Sequence, residues 1–485
     1  MSKYFSILIA LALLVVAGCT MTPRYHQPPP NISATWPPVP GHPATPTNAP
    51  PVATADIGWH EFFQEPRLQQ LIGIALTNNP NLRAATYNVE QTRQLYRVQR
   101  DALIPTVNIS AQGQRQRIPN IYGAGGKSFT YSEYSVDLGV TSYELDLFGR
   151  VRSLKTQALE TYFATAEAQK SAEIALVAQV AATYFSGRQA SEQLATARRA
   201  VKAAQQTYDL TKQSFDAGVL SQIDLNTATT QLQADRSLMA GYEQQLAEAR
   251  DDLVLLIGEP LPADLSNPKP YDPQLCLSDI PPGLPSDLLQ RRPDVLEAEH
   301  QLKAANANIG AARAAFFPTI TLTGSAGSAS TTLENLFAPG SQTWGFSPQV
   351  VWPIFAAGTA VAALKADQAA KQMDVADYQS AVQTAFREVA DALAVRATVQ
   401  TQLDANQDVV KASQQTYDLT QAGFTGGVNS TLDVCAAEET LDIAQQNLIV
   451  SKYARLVSLI NLYQALGGGW RENSPPPAMV SQNGN

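Results

Sequence analysis

Two short segments share a pattern of polar residues with a specific spacing. Ser221 is followed three positions later by Asp224, and Ser430 is followed three positions later by Asp433. A serine hydroxyl and an acid at this spacing each bond to a backbone N–H group in the first turn of a helix, which is the capping-box arrangement. The pattern therefore predicts that a helix begins at each serine, and it makes helix capping the first role to consider for both aspartates.

A glycine-containing stretch precedes each capping pair. The two stretches are 215–221 and 424–430, with Gly218 and Gly427 at matching positions. Glycine adopts the left-handed backbone conformation that ends a helix, so each stretch predicts a tight turn between two helices. The turn residues singled out by this pattern are Gly218, Val219, Ser221, Gly427, Val428 and Ser430.

The sequence gives little support to catalysis, metal binding or nucleotide binding. The histidines lie far apart, at His26, His42, His60 and His300. Cys276 and Cys435 show no CxxC spacing. The segment 123–128 resembles a phosphate-binding loop, but Ile121 stands where the leading glycine is required. No nucleophile–base pair or carboxylate pair is visible, so we predict no enzyme, no cofactor and no metal site. A net charge of -9 also argues against a nucleic-acid binder.

The N-terminus has the pattern of a targeting signal. Its apolar run, residues 5–16, is too short to span a bilayer and predicts a cleaved signal peptide over 1–18. The run ends in Val-Ala-Gly-Cys, which resembles a bacterial lipobox and implies acylation of Cys19. Thr20 follows, where an inner-membrane lipoprotein carries aspartate, so the resemblance implies the outer membrane. An ordinary signal peptide with a chance cysteine is the alternative. The Pro-rich residues that follow predict an extended tether.

The remainder of the chain is a tandem duplication. Segment 79–85 aligns with 292–298 at an offset of 213, and segment 205–211 recurs unchanged as 414–420 at an offset of 209. Each copy contains two stretches of alternating apolar and polar residues, 106–112 and 134–147 in the first copy, 320–323 and 344–352 in the second. Alternation of period two predicts strands with one apolar face. A wall between lipid and water fits this pattern, and a half-buried sheet of a soluble domain fits it equally well.

Very long helices are predicted after the strands. No proline occurs between Pro119 and Pro260 or between Pro353 and Pro475, so 150–215 and 358–424 are each predicted to form one helix of about 66 residues. Apolar residues then recur at alternating spacings of three and four from Leu225 to Leu256, interrupted only by Asp235. This spacing predicts antiparallel coiled-coil packing across each tight turn.

Four strands cannot close a membrane barrel by themselves, because natural barrels begin at about eight strands. Open sheet edges in lipid leave backbone groups unpaired, so the strands are predicted to pair with other copies of the chain. Two, three or four copies all give even-numbered barrels, and the pattern does not choose among them.

Four motifs resemble signatures of the TolC-like outer membrane factors, and of their lipidated OprM branch in particular. They are Trp-His-Glu-Phe-Phe at 59–63, Leu-Leu-Gln-Arg-Arg-Pro-Asp at 288–294, the Ala/Asn-rich segment 304–313, and 461–470, which ends in Gly-Gly-Gly-Trp. The resemblance covers the chain from about residue 56. It implies a fold that mixes a coiled-coil α region with transmembrane β strands. In the implied homotrimer, a 12-stranded β-barrel is continuous with a 12-helix α-barrel.

The resemblance divides the chain into segments. They are a signal peptide (1–18), a lipidated Pro-rich tether (19–66), a helix (67–103), an outer-membrane β-hairpin (104–148), a helical hairpin (149–258), an equatorial linker (259–283), a second helix (284–316), a second β-hairpin (317–357), a second helical hairpin (358–467) and a C-terminal tail (468–485).

The same resemblance implies a role and its residues. The chain is expected to be a lipid-anchored outer-membrane exit duct that extends into the periplasm, where it meets a periplasmic adaptor and an inner-membrane proton-driven pump of drugs and solvents. The implied periplasmic gate consists of Leu432, Asp433, Asp224 and Phe424. The tight-turn residues are the implied adaptor-docking sites. Ala436 and Asn429 depart from the family's gate residues, which puts a salt-bridge latch in doubt.

Two alternatives remain open. An exit duct for type I protein secretion uses the same architecture. A periplasmic coiled-coil scaffold lipoprotein without a pore is an alternative of another class, although the alternating strands argue against it.

Overall fold

The structure is a computed structural model that describes residues 20–39, 54–122, 127–262, 271, 275–277, 280, 283–355 and 357–474. The predicted signal peptide, Cys19 and residues 123–126 of the predicted loop lie outside this part of the chain. Contacts divide the chain into two compact units. The strand unit comprises Asn88–Thr165 and Glu297–Tyr378 with the N-terminal residues up to Pro29. The helical unit comprises Pro30–Tyr87, Ala166–Leu296 and Gln379–Asn485.

Helices dominate the described residues, as the sequence predicted. In chain order the elements are α1 (Trp59–Phe62), α2 (Pro66–Asn78), α3 (Pro80–Asp101), β1 (Val107–Ile118), β2 (Phe129–Glu144), α4 (Arg150–Asp216), α5 (Gln222–Ile257), α6 (Leu288–Arg291), α7 (Pro293–Ala314), β3 (Thr319–Ser330), β4 (Gln342–Val351), α8 (Thr359–Thr425) and α9 (Thr431–Ala465). None of the helices in the described ranges is both long enough and apolar enough to cross a membrane.

The four strands form one antiparallel sheet in the order β1-β2-β3-β4 within the strand unit. Pairing between β2 and β3 joins the two hairpins, with Leu138 opposite Ala326. Strands β1 and β4 are therefore the two edges of the sheet in a single chain. The register keeps residues of like polarity on the same face, because side chains alternate along each strand.

The second strand is shorter than the sequence predicted. Alternation was expected to continue to Leu147, but β2 ends at Glu144. The carboxylate of Asp146 accepts hydrogen bonds from the backbone N–H groups of Val151 and Arg152 at 3.1 and 2.9 Å. Asp146 therefore accepts hydrogen bonds from free backbone N–H groups in the first turn of α4. The chain leaves the sheet before Asp146, which places its carboxylate at that turn. The last strand likewise ends at Val351, one residue before the predicted end.

The predicted antiparallel coiled coil is present in the helical unit. Arg198 of α4 pairs with Glu243 of α5 at 3.1 Å, and Arg236 of α5 donates to Gln205 of α4 at 2.9 Å. Contacts that advance along one helix while they recede along the other define antiparallel packing. All the predicted seam positions of α5 are buried or half-buried: Leu225, Ala228, Leu232, Asp235, Met239, Tyr242, Leu246, Ala249, Leu253 and Leu256. Helix α5 also packs against α9.

Part of the predicted tether is folded, which corrects the boundary of segment 19–66. Helix α1 and the start of α2 lie inside it. The aromatic residues Trp59, Phe62 and Phe63 are buried. Phe62 stacks on Tyr463 with ring centroids 4.0 Å apart, and the Tyr463 hydroxyl donates to the Ile57 carbonyl at 2.6 Å. These aromatic side chains bury enough apolar surface to fix the segment against the end of α9.

The Pro-rich residues 20–39 form no helix or strand, but they also pack. In the helical unit, Trp36 is buried and stacks on Phe386 with centroids 5.1 Å apart. In the strand unit, the Asn306 side chain donates to the Pro23 carbonyl at 2.8 Å. An added Cβ at Gly310 of α7 would collide with Thr22. The segment is therefore fixed by contacts on each unit and is not a free linker.

Candidate functional site

The first tight turn connects α4 to α5. Gly218 has a positive φ of 75°, as the sequence predicted, and the Val219 N–H donates to the Ser214 carbonyl at 2.8 Å. The Ser221 hydroxyl accepts from the Asp224 N–H at 3.3 Å, and the Asp224 carboxylate accepts from the Ser221 N–H at 2.9 Å. The predicted capping box is confirmed, and it lowers the pKa of Asp224 because Ser221 hydrogen bonds stabilise the carboxylate.

The second tight turn connects α8 to α9 and repeats this backbone geometry. Gly427 has a φ of 72°, and the Val428 N–H donates to the Gly423 carbonyl at 2.8 Å. The Ser430 hydroxyl accepts from the Asp433 N–H at 3.2 Å, and the Asp433 carboxylate accepts from the Ser430 N–H at 2.8 Å. The capping box is again confirmed, and hydrogen bonds from Ser430 lower the pKa of Asp433.

One of the differences between the two turns involves a close contact. An added Cβ at Gly423 would collide with the side chain of Asn429, which also hydrogen-bonds to Asp433. The first copy has Ser214 and Leu220 at the equivalent places. Gly423 thus leaves the space into which the Asn429 side chain extends.

The turns expose apolar side chains. Val219, Val428 and Leu432 are 76%, 84% and 63% exposed, whereas Phe424 is half-buried. Exposed apolar side chains at a turn favour an interaction surface when they form a patch. Asp224 and Asp433 each bond within their own turn. A gate ring formed by several chains stays a prediction.

In its central rows, the four-stranded sheet has one apolar and one polar face. The apolar face contains the aligned row Ile109, Leu138, Ala326 and Trp344. The next row, on the opposite face, consists of Ser110, Asp137, Gly327 and Thr343. The apolar residues are exposed, Ile109 by 76% and Trp344 by 80%. A sheet that exposes an ordered apolar face suits contact with lipid on that face and water on the other.

Sequence analysis missed a buried acidic cluster in the helical unit. Asp235 was noted only as the polar interruption of the seam of α5. Glu438 and Asp442, on α9, also have buried carboxylate atoms, and Asp235 contributes to raising the pKa of both. The sequence contained a signal for part of this cluster. Glu438 and Asp442 are four residues apart on a helix that was predicted to pack, and residues at that spacing share a helix face.

A buried ion pair was also missed. Glu65 accepts hydrogen bonds from the Tyr184 hydroxyl at 2.8 Å and from the Arg188 guanidinium at 2.5 Å. Burial and the adjacent Glu65 raise the pKa of Tyr184. Glu65 lies two residues after the motif at 59–63 and ties it to α4 within the helical unit. Its role is structural, and a buried pair of this kind destabilises the fold when one partner is removed.

Two other predictions about sites concern lipid attachment and metal binding. Cys19, the predicted lipid-attachment residue, lies outside the described residues, so its acylation stays a prediction. Within the described ranges, no group of three or more His, Cys, Asp or Glu side chains is arranged to hold a metal ion.

Comparisons with known proteins agree with this architecture. A family model described as outer membrane efflux protein matches residues 71–259 and 284–468, one match in each copy of the duplication. The chain is 44% identical to the toluene efflux pump outer membrane protein TtgC of Pseudomonas putida, over 96% of each chain. It is 38% identical to the outer membrane protein OprJ of Pseudomonas aeruginosa, again over 96% of each. The crystal structure of the open MtrE outer membrane channel of Neisseria gonorrhoeae superposes with a TM-score of 0.84 and 38% identity, covering 94% of this chain and 100% of that one.

Proposed function

Because the chain belongs to the outer membrane efflux protein family, we propose that it forms the outer-membrane exit duct of a tripartite efflux system. In this role it conducts drugs, solvents or other small molecules passively from an inner-membrane pump to the outside. The observation that carries the proposal is the four-stranded sheet with an exposed apolar face and two open edges. The apolar face of such a sheet needs contact with lipid. The backbone groups of its edge strands β1 and β4 need other strands as hydrogen-bond partners.

The open edges support a homotrimer. Three copies of the sheet supply twelve strands, and twelve antiparallel strands close without a free edge. The polar row that contains Asp137 then faces a water-filled lumen, and the row that contains Leu138 faces lipid. The helical hairpins of the three chains supply the twelve helices of a tunnel. The close packing of small residues along α5, such as Ala228 and Ala249, supports helices that pack side by side.

The tight turns support docking and gating. The exposed Val219 and Val428 offer apolar contacts to a periplasmic adaptor, and the matched turns give each chain two similar docking sites. Leu432 and Asp433, with Asp224 and Phe424, form the proposed gate. The capping boxes place both aspartates at helix starts, and a capping aspartate is also able to face a pore. The relatives' names as efflux pump proteins support a partner adaptor and pump.

The N-terminal lipobox pattern supports a lipid anchor at Cys19. Only a thiol accepts the diacylglycerol, so Cys19→Ser abolishes palmitate incorporation. The matched control is Cys276→Ser, which removes a buried thiol and leaves labelling unchanged. Unchanged labelling of Cys19→Ser contradicts lipid anchoring and leaves the duct proposal intact.

The duct itself is tested in cells. Cells that lack this chain but retain the pump and adaptor are expected to accumulate more of a fluorescent lipophilic dye, and expression of the chain is expected to restore export. The purified chain is expected to migrate as a trimer without heating and as a monomer after it. Export of a secreted protein with no change in dye accumulation favours a type I secretion duct. A monomer that forms no channel favours a scaffold.

A further inference from the structure

Helices α5 and α9 enclose three carboxyl groups where they pack together in the helical unit. Asp235 comes from α5, and Glu438 and Asp442 come from α9. Asp235 and Glu438 are each only 3% exposed. Glu438 lies eight residues after Ser430, about 12 Å along the helix from the tight turn. The cluster is therefore distinct from the capping aspartates, of which Asp433 is exposed and Asp224 is half-buried.

The oxygen atoms of these carboxyl groups outnumber the hydrogen-bond donors that reach them. Both carboxylate oxygens of Glu438, Oδ2 of Asp235 and Oδ2 of Asp442 are buried without a hydrogen-bond partner. Gln231 satisfies only the other oxygen of Asp235, to which it donates at 3.0 Å. A buried acceptor without a donor is unfavourable, and an unpaired buried carboxylate is more so. The cluster is therefore incomplete unless protons or an outside donor fill it.

A cavity of about 320 Å³ adjoins the cluster. Asp235, Asp442 and Gln446 line it, and the Gln446 side-chain oxygen is a further buried acceptor without a partner. Leu238 and Ile443 give the cavity an apolar wall. Acceptor oxygens beside an apolar wall match a ligand that combines a charged donor group with a short hydrocarbon chain.

An additional acid and a tyrosine lie near the cluster. Glu439 of α9 lines the same cavity, and α4 contributes only Ala197 and Ala200 to it. Tyr417 of α8 lies close enough for Glu438, Asp442, Asp418 and Cys435 to raise its pKa, after the effect of burial.

Burial and the neighbouring acids keep protons on the cluster. Burial, then Asp442 and Asp235, raise the pKa of Glu438 to about 8. Burial, then Asp235, raise the pKa of Asp442 to about 7. The pKa of Asp235 is raised by burial and by Glu439, against the effect of Gln231. A cation that enters therefore displaces protons from these groups.

We propose that this cavity is a binding site for an organic cation with N–H donors, of the alkylammonium or alkylguanidinium class. The N–H groups donate to the free oxygens of Asp235, Asp442 and Gln446, and the hydrocarbon part rests on Leu238 and Ile443. Binding exchanges the cation for protons: neutral carboxyl groups release protons to solvent as the cation takes their place. The site is additional to the proposed duct function and does not depend on it.

Calorimetry on the detergent-purified full chain tests the site with butylammonium as the probe at about pH 8.5. Butanol has the same hydrocarbon chain without charge, and butyltrimethylammonium has charge without N–H groups. We expect butylammonium to bind at least about tenfold more tightly than either. Titrations at about pH 7 in two buffers of different ionisation enthalpy are expected to show proton release, and the affinity is expected to fall further at about pH 5.5.

Variants localise the binding. Asp235→Asn combined with Asp442→Asn keeps the shape of the protonated side chains and is expected to weaken butylammonium binding by about tenfold. The control Asp252→Asn changes an exposed acid on α5 and is expected to bind like wild type. Equal binding of all three probes, equal binding by the double variant, or no binding at either pH overturns the proposal.

Discussion

The sheet and the helical hairpins distribute polarity in opposite ways. The sheet exposes its large apolar side chains, with Trp344 and Ile109 at 80% and 76% exposure. The helices bury acids, with Asp235 and Glu438 at 3% exposure. A water-soluble domain normally exposes charged residues and buries most of its large apolar ones.

Each of these two differences from a water-soluble domain indicates the environment of that part of the molecule. Apolar residues that are ordered on one face of a sheet indicate contact with a nonpolar phase, since alternation places the polar residues on the other face. Buried acids without donors indicate a site that takes up protons or cations. The duplication sharpens this second point, because the first copy has Thr229 and Gln233 where the second has Glu438 and Asp442. The hairpin fold therefore does not need these acids.

The largest expected effect concerns the two faces of the sheet. Leu138→Lys is expected to disfavour membrane insertion by about 2–4 kcal/mol if the residue lies at mid-depth in lipid. Asp137→Lys is the matched control on the polar face, and we expect it to be tolerated. Urea titration of folding into lipid vesicles measures the difference. Equal effects of the two substitutions contradict the assignment of the faces.

The next effect concerns pH and the buried acids. Folding raises the pKa of Glu438 from 4.5 to about 8, so the folded chain binds more protons than the unfolded chain between these values. The stability from this group is therefore fully present below about pH 4.5 and is lost as pH rises through about 8. We expect a loss of up to about 5 kcal/mol, since a rise in pKa from 4.5 to about 8 corresponds to that limit at about 1.4 kcal/mol per pKa unit.

Thermal unfolding followed by helical circular dichroism across this pH range measures the loss. Glu438→Gln mimics the protonated side chain and is expected to flatten the pH dependence. The exposed control Asp252→Asn is expected to keep it. A wild-type chain whose unfolding temperature does not fall between about pH 5 and 8.5 excludes the inferred protonation.

A smaller effect distinguishes the two tight turns. Gly423→Ser introduces the first copy's residue into the second turn, where Asn429 occupies the space. We expect a loss of about 1–2 kcal/mol, typical of overpacking. Adding Asn429→Leu restores the pair found at Ser214 and Leu220, so the double variant is expected to recover much of the loss. Additive losses in denaturant titrations contradict this account of the close approach.

The sequence predicted much of the fold because periodic patterns dominate it. Unbroken helical sequence predicted α4 and α8 to within a residue or two, and Ser-x-x-Asp pairs predicted both capping boxes. The predictions were less accurate where a single residue decides the outcome. Asp146 ends β2 early because it caps α4, and periodicity carries no information about that choice.

Other features depend on residues far apart in sequence. The contact between Phe62 and Tyr463 fixes a segment that composition alone predicts to be a tether. The acidic cluster forms only when α5 and α9 pack, so Asp235 alone predicted no partner. Only the folded structure shows that Asp235 lies near Glu438 and Asp442.

Single-channel recording in planar bilayers tests the central claim, a gated pore through an oligomer of this chain. The wild-type chain is expected to conduct poorly and to select cations, because Asp433 and Asp224 place carboxylates at the proposed gate. Leu432→Ala combined with Asp433→Ala is expected to widen the opening and raise conductance severalfold, while the oligomer remains equally stable. Ser430→Ala is the control, since it weakens the helix start by about 1 kcal/mol and retains both Leu432 and Asp433. A double variant that conducts and selects ions like wild type contradicts the gate, and a chain that forms no channels contradicts the duct.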